Sequence, residues 1–97
     1  MRVEWRPLAN DDLAAIRRYI ARDNKLRARS FGVELRSRVK QLAGHPLMGK
    51  PGGPGLPDGI RVLVLHENYL AYYRIVAVGE EDVVQILRVK HAAQHRP

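Results

Sequence analysis

The chain has 97 residues, 45% of them apolar and 28% charged, which suits one soluble globular domain over 1–97 with a modest core. It has no cysteine, so disulfides and thiolate metal sites are excluded, and no apolar run approaches the ~20 residues that span a bilayer. Seventeen Lys and Arg against ten Asp and Glu give a net charge of +7, which favours nucleic acid, an acidic protein or an anionic membrane surface unless it only solvates the exterior.

Met1 to Pro7 lacks the apolar stretch of a signal peptide, and a cytoplasmic location is expected. Within it Arg2-Val3-Glu4-Trp5-Arg6 alternates polar and apolar, predicting a short strand that Pro7 stops. Trp5 at this spacing reads as a core or edge anchor before a stacking platform. Asn10 then has the chemistry of a helix N-cap, with Asp11 and Asp12 in the first turn. Leu13, Ile16 and Ile20 recur at helical spacing with Tyr19 alongside, and Asp23-Asn24 breaks the helix. A second helix carries Ala28, Phe31, Leu35, Val39 and Leu42 on one stripe. Gly32 beside that stripe costs about 1 kcal/mol relative to alanine, which close approach of the first helix would compensate. Gly44 and Pro46 are expected to cap and end it. The two helices, separated by a couple of residues, form an antiparallel hairpin. Its outer side carries Lys25, Arg27, Arg29, Arg36, Arg38 and Lys40 against Glu34 alone.

From residue 44 to 59 the chain is rich in glycine and proline, predicting a long loop without regular structure. Three strands follow over 60–66, 69–77 and 83–90, dominated by Val, Ile, Leu and Tyr. Glu67-Asn68 makes the first turn, through the left-handed tolerance of Asn68, and Gly79-Glu80-Glu81 the second. The fold class is therefore α+β: a strand, a helical hairpin, and a three-strand antiparallel meander that the hairpin covers.

Gly44 to Lys50 matches the first seven positions of a phosphate-binding loop, but Pro51 stands where a Ser or Thr must reach magnesium and no helix follows. The match is a coincidence of a glycine-rich stretch, and no cofactor is expected. His45, His66, His91 and His95 lack metal-ligand spacing on a helix, so no metal is expected either. Alternation puts Tyr69, Tyr73 and Ile75 on one face of the middle strand and Leu70, Tyr72 and Arg74 on the other. Arg61, Arg74 and Arg88 all lie inside strands, where an unpaired charge is costly. They imply an open sheet face for RNA phosphate or acidic protein, or else cross-strand pairing with Glu67, Glu80, Glu81 or Asp82.

The ordered set Asp12-Leu13-Ala14-Ala15-Ile16, Tyr19-Ile20-Ala21, Asp23-Asn24, Phe31, Gly49-Lys50-Pro51-Gly52, Gly59-Ile60-Arg61, 69–74 and 86–94 resembles the ParE/RelE superfamily of type II toxins, in its ParE branch. The resemblance covers nearly the whole chain. RelE-like members cut mRNA on the ribosome with basic residues, a catalytic arginine and often a terminal histidine or tyrosine. The Tyr-Arg-Leu-Val-Tyr pattern that carries that arginine reads Asn68-Tyr69-Leu70-Ala71-Tyr72 here, so Tyr69 takes its place. Ile60 and Val62 replace two lysines, and His91-Ala92 replaces the terminal His-Tyr. A nuclease here would have only Arg61, Arg88 and His91 for its acid, base and cation work.

The resemblance therefore implies a plasmid-stabilisation toxin that poisons DNA gyrase by binding, with no catalytic residue of its own. It also implies a ParD-like antitoxin that folds onto the toxin in a hetero-oligomeric complex. Direct nucleic-acid binding is possible but not required, and no membrane partner is expected. The residues expected at the target are Arg61, Tyr69, Tyr73, Arg74, Arg88, Lys90, His91 and Gln94, within a basic segment that runs from Arg88 to Arg96. The alternative is a RelE-like ribonuclease using Arg61, Arg88 and His91.

Overall fold

The computed structural model describes residues 1–94. In chain order they form β1 (Arg2–Trp5), α1 (Pro7–Ala21), α2 (Lys25–Lys40), a 3-10 turn (Gln41–Ala43), β2 (Lys50–Pro51), β3 (Arg61–His66), β4 (Tyr69–Val78), β5 (Glu81–His91) and a final 3-10 turn (Ala92–Gln94). The expected α+β order is present. The sheet runs β1-β5-β4-β3-β2, with β3, β4 and β5 antiparallel and β1 added parallel to β5. Among the described residues, no helix is long and apolar enough to cross a membrane.

Several local expectations are corrected. Pro7 both ends β1 and opens α1, occupying the first helical position, where its missing N–H costs nothing. Asn10 is therefore inside the helix, its N–H donating to Arg6 O, and no side chain caps α1. That shift moves Asp12 out of the first turn and leaves its carboxylate for other partners. The 44–59 stretch is not wholly irregular, since Lys50 and Pro51 pair with Val62 and Arg61 as β2. Proline is tolerated there because β2 is the outermost strand. Gly44 is not a left-handed cap. It sits at φ −96°, below a 3-10 turn in which its N–H bonds Gln41 O. Glu67 and Asn68 do form the first turn, yet neither has a positive φ; a register shift between Val64 and His66 accommodates the bend instead. The second turn is two residues, with Gly79 at φ +63°.

The hairpin packs as its stripe predicts. Asn24 caps α2 by accepting from Arg27 N at 2.9 Å. Phe31, Leu35, Val39 and Leu42 are all buried against Leu13 of α1 and the inward face of the sheet. A Cβ at Gly32 would lie 2.7 Å from Arg17 Cδ, so it is the Arg17 side chain of α1 that lies over the space a larger residue would fill. Tyr19 departs from the stripe and is 67% exposed. On the sheet, Tyr69, Ala71, Tyr73 and Ile75 face the hairpin, as alternation requires. Opposite them a bulge at Leu87 resets β5, because Tyr72 pairs with Arg88 but Tyr73 with Ile86.

Candidate target-binding surface

Arg61 and Tyr73 are cross-strand partners, and both are turned to a structural task. The Arg61 guanidinium donates through Nη2 to Leu47 O at 3.2 Å and to Gly49 O at 2.6 Å. The Tyr73 hydroxyl donates to Pro46 O at 2.7 Å and accepts from Gly49 N at 3.0 Å. Tyr73 itself is fully buried. Gly49 fits because it has no side chain: a Cβ there would stand 2.7 Å from Tyr73 Cε1, Tyr73 Oη and Val62 O. Four side-chain hydrogen bonds thus hold residues 46–49 onto the sheet, and β2 continues the attachment. Leu47 is left 67% exposed at the tip.

Arg88 has a different partner. β1 ends opposite Ile86, so the outer edge of β5 is vacant from there on. Asp12 of α1 fills that edge. Its carboxylate takes Arg88 in a two-pronged contact, Nε to Oδ2 at 2.8 Å and Nη2 to Oδ1 at 3.0 Å, and accepts Val89 N at 2.9 Å. The Asp12 hydrogen bond holds Arg88 in its charged form, raising its pKa further. Arg74, exposed on the outer face, donates to Gln85 Oε1 at 2.9 Å, and Gln85 passes a hydrogen bond to Glu4 Oε1 at 3.1 Å. The Arg6 hydrogen bond to Glu4, helped by Gln85, keeps the Glu4 carboxyl below the ordinary range. None of the three strand arginines uses Glu67, Glu80, Glu81 or Asp82 as its partner among the described contacts. They also do not share a face: Arg61 sits over the loop, Arg74 points outward and Arg88 lies along the β5 edge.

The last expected residues gather at the other end of the sheet. Tyr69 pairs with His91, their rings edge to face at 5.3 Å, and Phe31 stacks edge-on against both Tyr69 and His66. Desolvation raises the Tyr69 and Tyr72 hydroxyl pKa values, with the nearby Tyr19 adding to the first. His91 is exposed, and its Nδ1 accepts from Ala93 N at 3.1 Å. Lys90 is half-buried beside it. Gln94 closes the described chain in the 3-10 turn; His95 and Arg96, the end of the expected contact segment, lie outside the described residues.

The arrangement separates the three residues a nuclease would need. Arg61 is in register with Tyr73 and His91 with Tyr69, four residues along β4 and two strands across. Their backbones are thus about 13 Å apart along the strands and about 10 Å across them. Arg61 and Arg88 are already engaged. Among the described residues, no three His, Cys, Asp or Glu gather to hold a metal ion.

Sequence reading gave Asp12, Gly49 and Leu47 no role at the site. Asp12 reads as a helix-start acid and Gly49 as part of a glycine-rich loop, and their partners Arg88 and Tyr73 lie far away in the chain, where no local signal reaches.

A sequence model of the family described as the ParE toxin of type II toxin-antitoxin systems, parDE, matches residues 3–96. The chain belongs to the ParE toxin family. A solved structure titled as a chromosomal ParDE TA system from P. aeruginosa is 27% identical, covering 94% of this chain and 95% of that one at a TM-score of 0.73. A YoeB/ParE toxin from Agrobacterium tumefaciens is 16% identical over 94% and 98% of the two chains, at a TM-score of 0.62, a likeness of fold. No curated protein matches by sequence. The strand, helical hairpin and meander described above match the fold of that ParDE structure.

Proposed function

We propose that this ParE-family toxin acts in the cytoplasm by binding DNA gyrase and blocking replication, without cutting a phosphodiester bond itself. One observation carries the choice over the ribonuclease reading: the cations a nuclease would aim at one phosphate are spent inside the fold. Arg61 holds two loop carbonyls and Arg88 holds Asp12. A ribonuclease needs its cation, acid and base convergent on one group, and His91 stands about 16 Å from Arg61 by backbone register. Of the other groups expected at the target, Arg74 and His91 are exposed and Lys90 is half-buried, which suits adhesion to an acidic protein surface.

A ParD-like antitoxin is the natural counterpart of this toxin. The outer face of α2 exposes Leu26 and Val33, seven residues apart, with Lys25, Arg29 and Lys40 exposed around them. An amphipathic acidic segment laid there would cover the apolar pair and neutralise the charge. Purified toxin in a gyrase supercoiling assay, alongside a translating-ribosome assay, tests the whole reading. Loss of supercoiling with mRNA left intact is the expected result. Codon-positioned mRNA cuts that diminish in His91→Ala would overturn it in favour of the nuclease.

A further inference from the structure

The loop that carries β2 is held far more firmly than its composition requires, and what it holds outward is apolar. Pro46, Leu47, Met48 and Gly49 each have a backbone group engaged: Pro46 O accepts from Tyr73, Leu47 O and Gly49 O accept from Arg61, and Met48 N donates to His45 O at 3.0 Å. The tip cannot collapse inward, because Gly49 is wedged against Tyr73 and Val62 O. The fully buried tyrosine and the strand arginine therefore fix the direction of Leu47, 67% exposed, while Met48 is half-buried beneath it. A flexible loop would lose rotamer and backbone freedom on binding; this one has already lost it.

We infer that the Pro46–Met48 tip is a preorganised apolar anchor, and that Leu47 inserts into an apolar pocket with an acidic rim on the toxin's protein target. Two things on the surface favour protein over nucleic acid. Pro46, Leu47 and Met48 offer no side-chain donor to a phosphate, and the polar groups flank them: His45 and Lys50 are exposed on either side, and Arg38 reaches Met48 Sδ at 3.5 Å but is itself bonded to Val64 O and Gln41. An apolar centre with charge around it is the usual anatomy of a protein-binding hot spot. The inference rests on the reading that this toxin works by adhesion to a protein, but not on the target being gyrase.

The test is growth arrest by induced toxin in bacteria, with melting temperature and gyrase supercoiling measured on purified protein. Leu47→Asp and Leu47→Arg are compared with wild type and with Val78→Asp, which alters an exposed apolar residue at the far β4–β5 turn. Both Leu47 variants are expected to need about tenfold more toxin, or more, for the same arrest, with melting unchanged and Val78→Asp behaving as wild type. Leu47 variants as potent as wild type overturn the inference. So does Leu47→Arg keeping or gaining potency while Leu47→Asp loses it, since the contact then responds to charge and not to an apolar side chain. So does an equal loss in Val78→Asp. A wild type that arrests growth and leaves supercoiling intact removes gyrase as the target, and the tip is then judged on growth alone; a wild type that arrests nothing removes both.

Discussion

The cations of the sheet and the cations of the hairpin sit on the same small molecule and are used in opposite ways. Arg61 and Arg88 end on carbonyls and a carboxylate of their own chain, at 2.6 Å and 2.8 Å for their shortest contacts. On α2, Lys25, Arg29 and Lys40 point to solvent, and Arg36 lies over the Trp5 ring at 5.1 Å with no carboxylate partner among the described residues. The only described acid pair on that helix is Arg27 with Glu34. Inside a strand, neighbours on both sides make an unpaired charge costly, so the fold has to supply an acceptor. On an exposed helix face water supplies it, and the charge stays available for a partner. Net charge alone therefore overstates how much of the +7 can act on another molecule.

If the sheet cations are structural, breaking their surroundings must cost stability. The largest effect is expected at Gly49→Ala, where the new methyl meets Tyr73 and Val62 O at 2.7 Å and most of the clamp must shift. About 3 kcal/mol should be lost, combining overpacking with hydrogen bonds left unmade, as read by urea unfolding. A loss under about 0.5 kcal/mol, the range of an ordinary surface change, would mean that the clamp contributes little. Asp12→Ala comes next. It removes the acceptor of both Arg88 and Val89 N, and because the Arg88 side chain is 40% exposed the salt bridge itself is discounted. We expect about 1–2 kcal/mol, mostly from the strand-edge N–H, with Asp12→Asn recovering part of it. Equal losses in the two variants would assign the effect to charge instead.

How much of this was legible beforehand differs element by element. The α2 stripe and the three-strand meander were readable because they follow periods of 3.6 and 2 that burial enforces. Tyr69 and Tyr73 fell on the inward face for the same reason. The start of α1 was misread because Asn10 and two acids mimic a cap, whereas Pro7 at the first helical position was enough. That error concealed Asp12. The roles of Arg61 and Arg88 were not readable at all, since their partners are 12 or more residues away in sequence and two of those partners are backbone carbonyls, which carry no sequence signature. The expectation of one arginine-lined face failed at Arg61, whose register with Tyr73 turns it to the opposite face from Arg74, and at Arg88, drawn to Asp12 along the β5 edge left vacant by a four-residue β1.

On the hairpin side the prediction has the opposite form. Lys25→Glu with Arg29→Glu should change folding stability by no more than about 0.5 kcal/mol, because both side chains are exposed and have no described partner to lose. The same pair should weaken capture by an acidic antitoxin segment, and that weakening should shrink as salt is raised. Calorimetry at two ionic strengths reads both. A double variant that unfolds the protein would erase the contrast between the two sets of cations.

The smallest effect lies between the two sets, at Glu4. It is a strand residue on an exposed edge, and it joins Arg6 at 2.9 Å to the Gln85–Arg74 chain of hydrogen bonds. Its pKa is lowered chiefly by the Arg6 hydrogen bond, working against desolvation. The native state then binds a proton at Glu4 less readily than the unfolded chain does, so the link adds stability above the ordinary glutamate pKa and loses it as pH falls through the depressed native value. Because Glu4 is open to solvent, the gain is small and is best read at the group itself, by following its side-chain carboxyl carbon in an NMR titration. The midpoint should lie below the usual glutamate range and rise in Arg6→Ala, while Arg74→Ala, acting only through Gln85, should move it less. If Arg74→Ala moved it more, charge on the outer sheet face would be coupled through the β1 edge, and the sheet cations would be less self-contained than their contacts indicate.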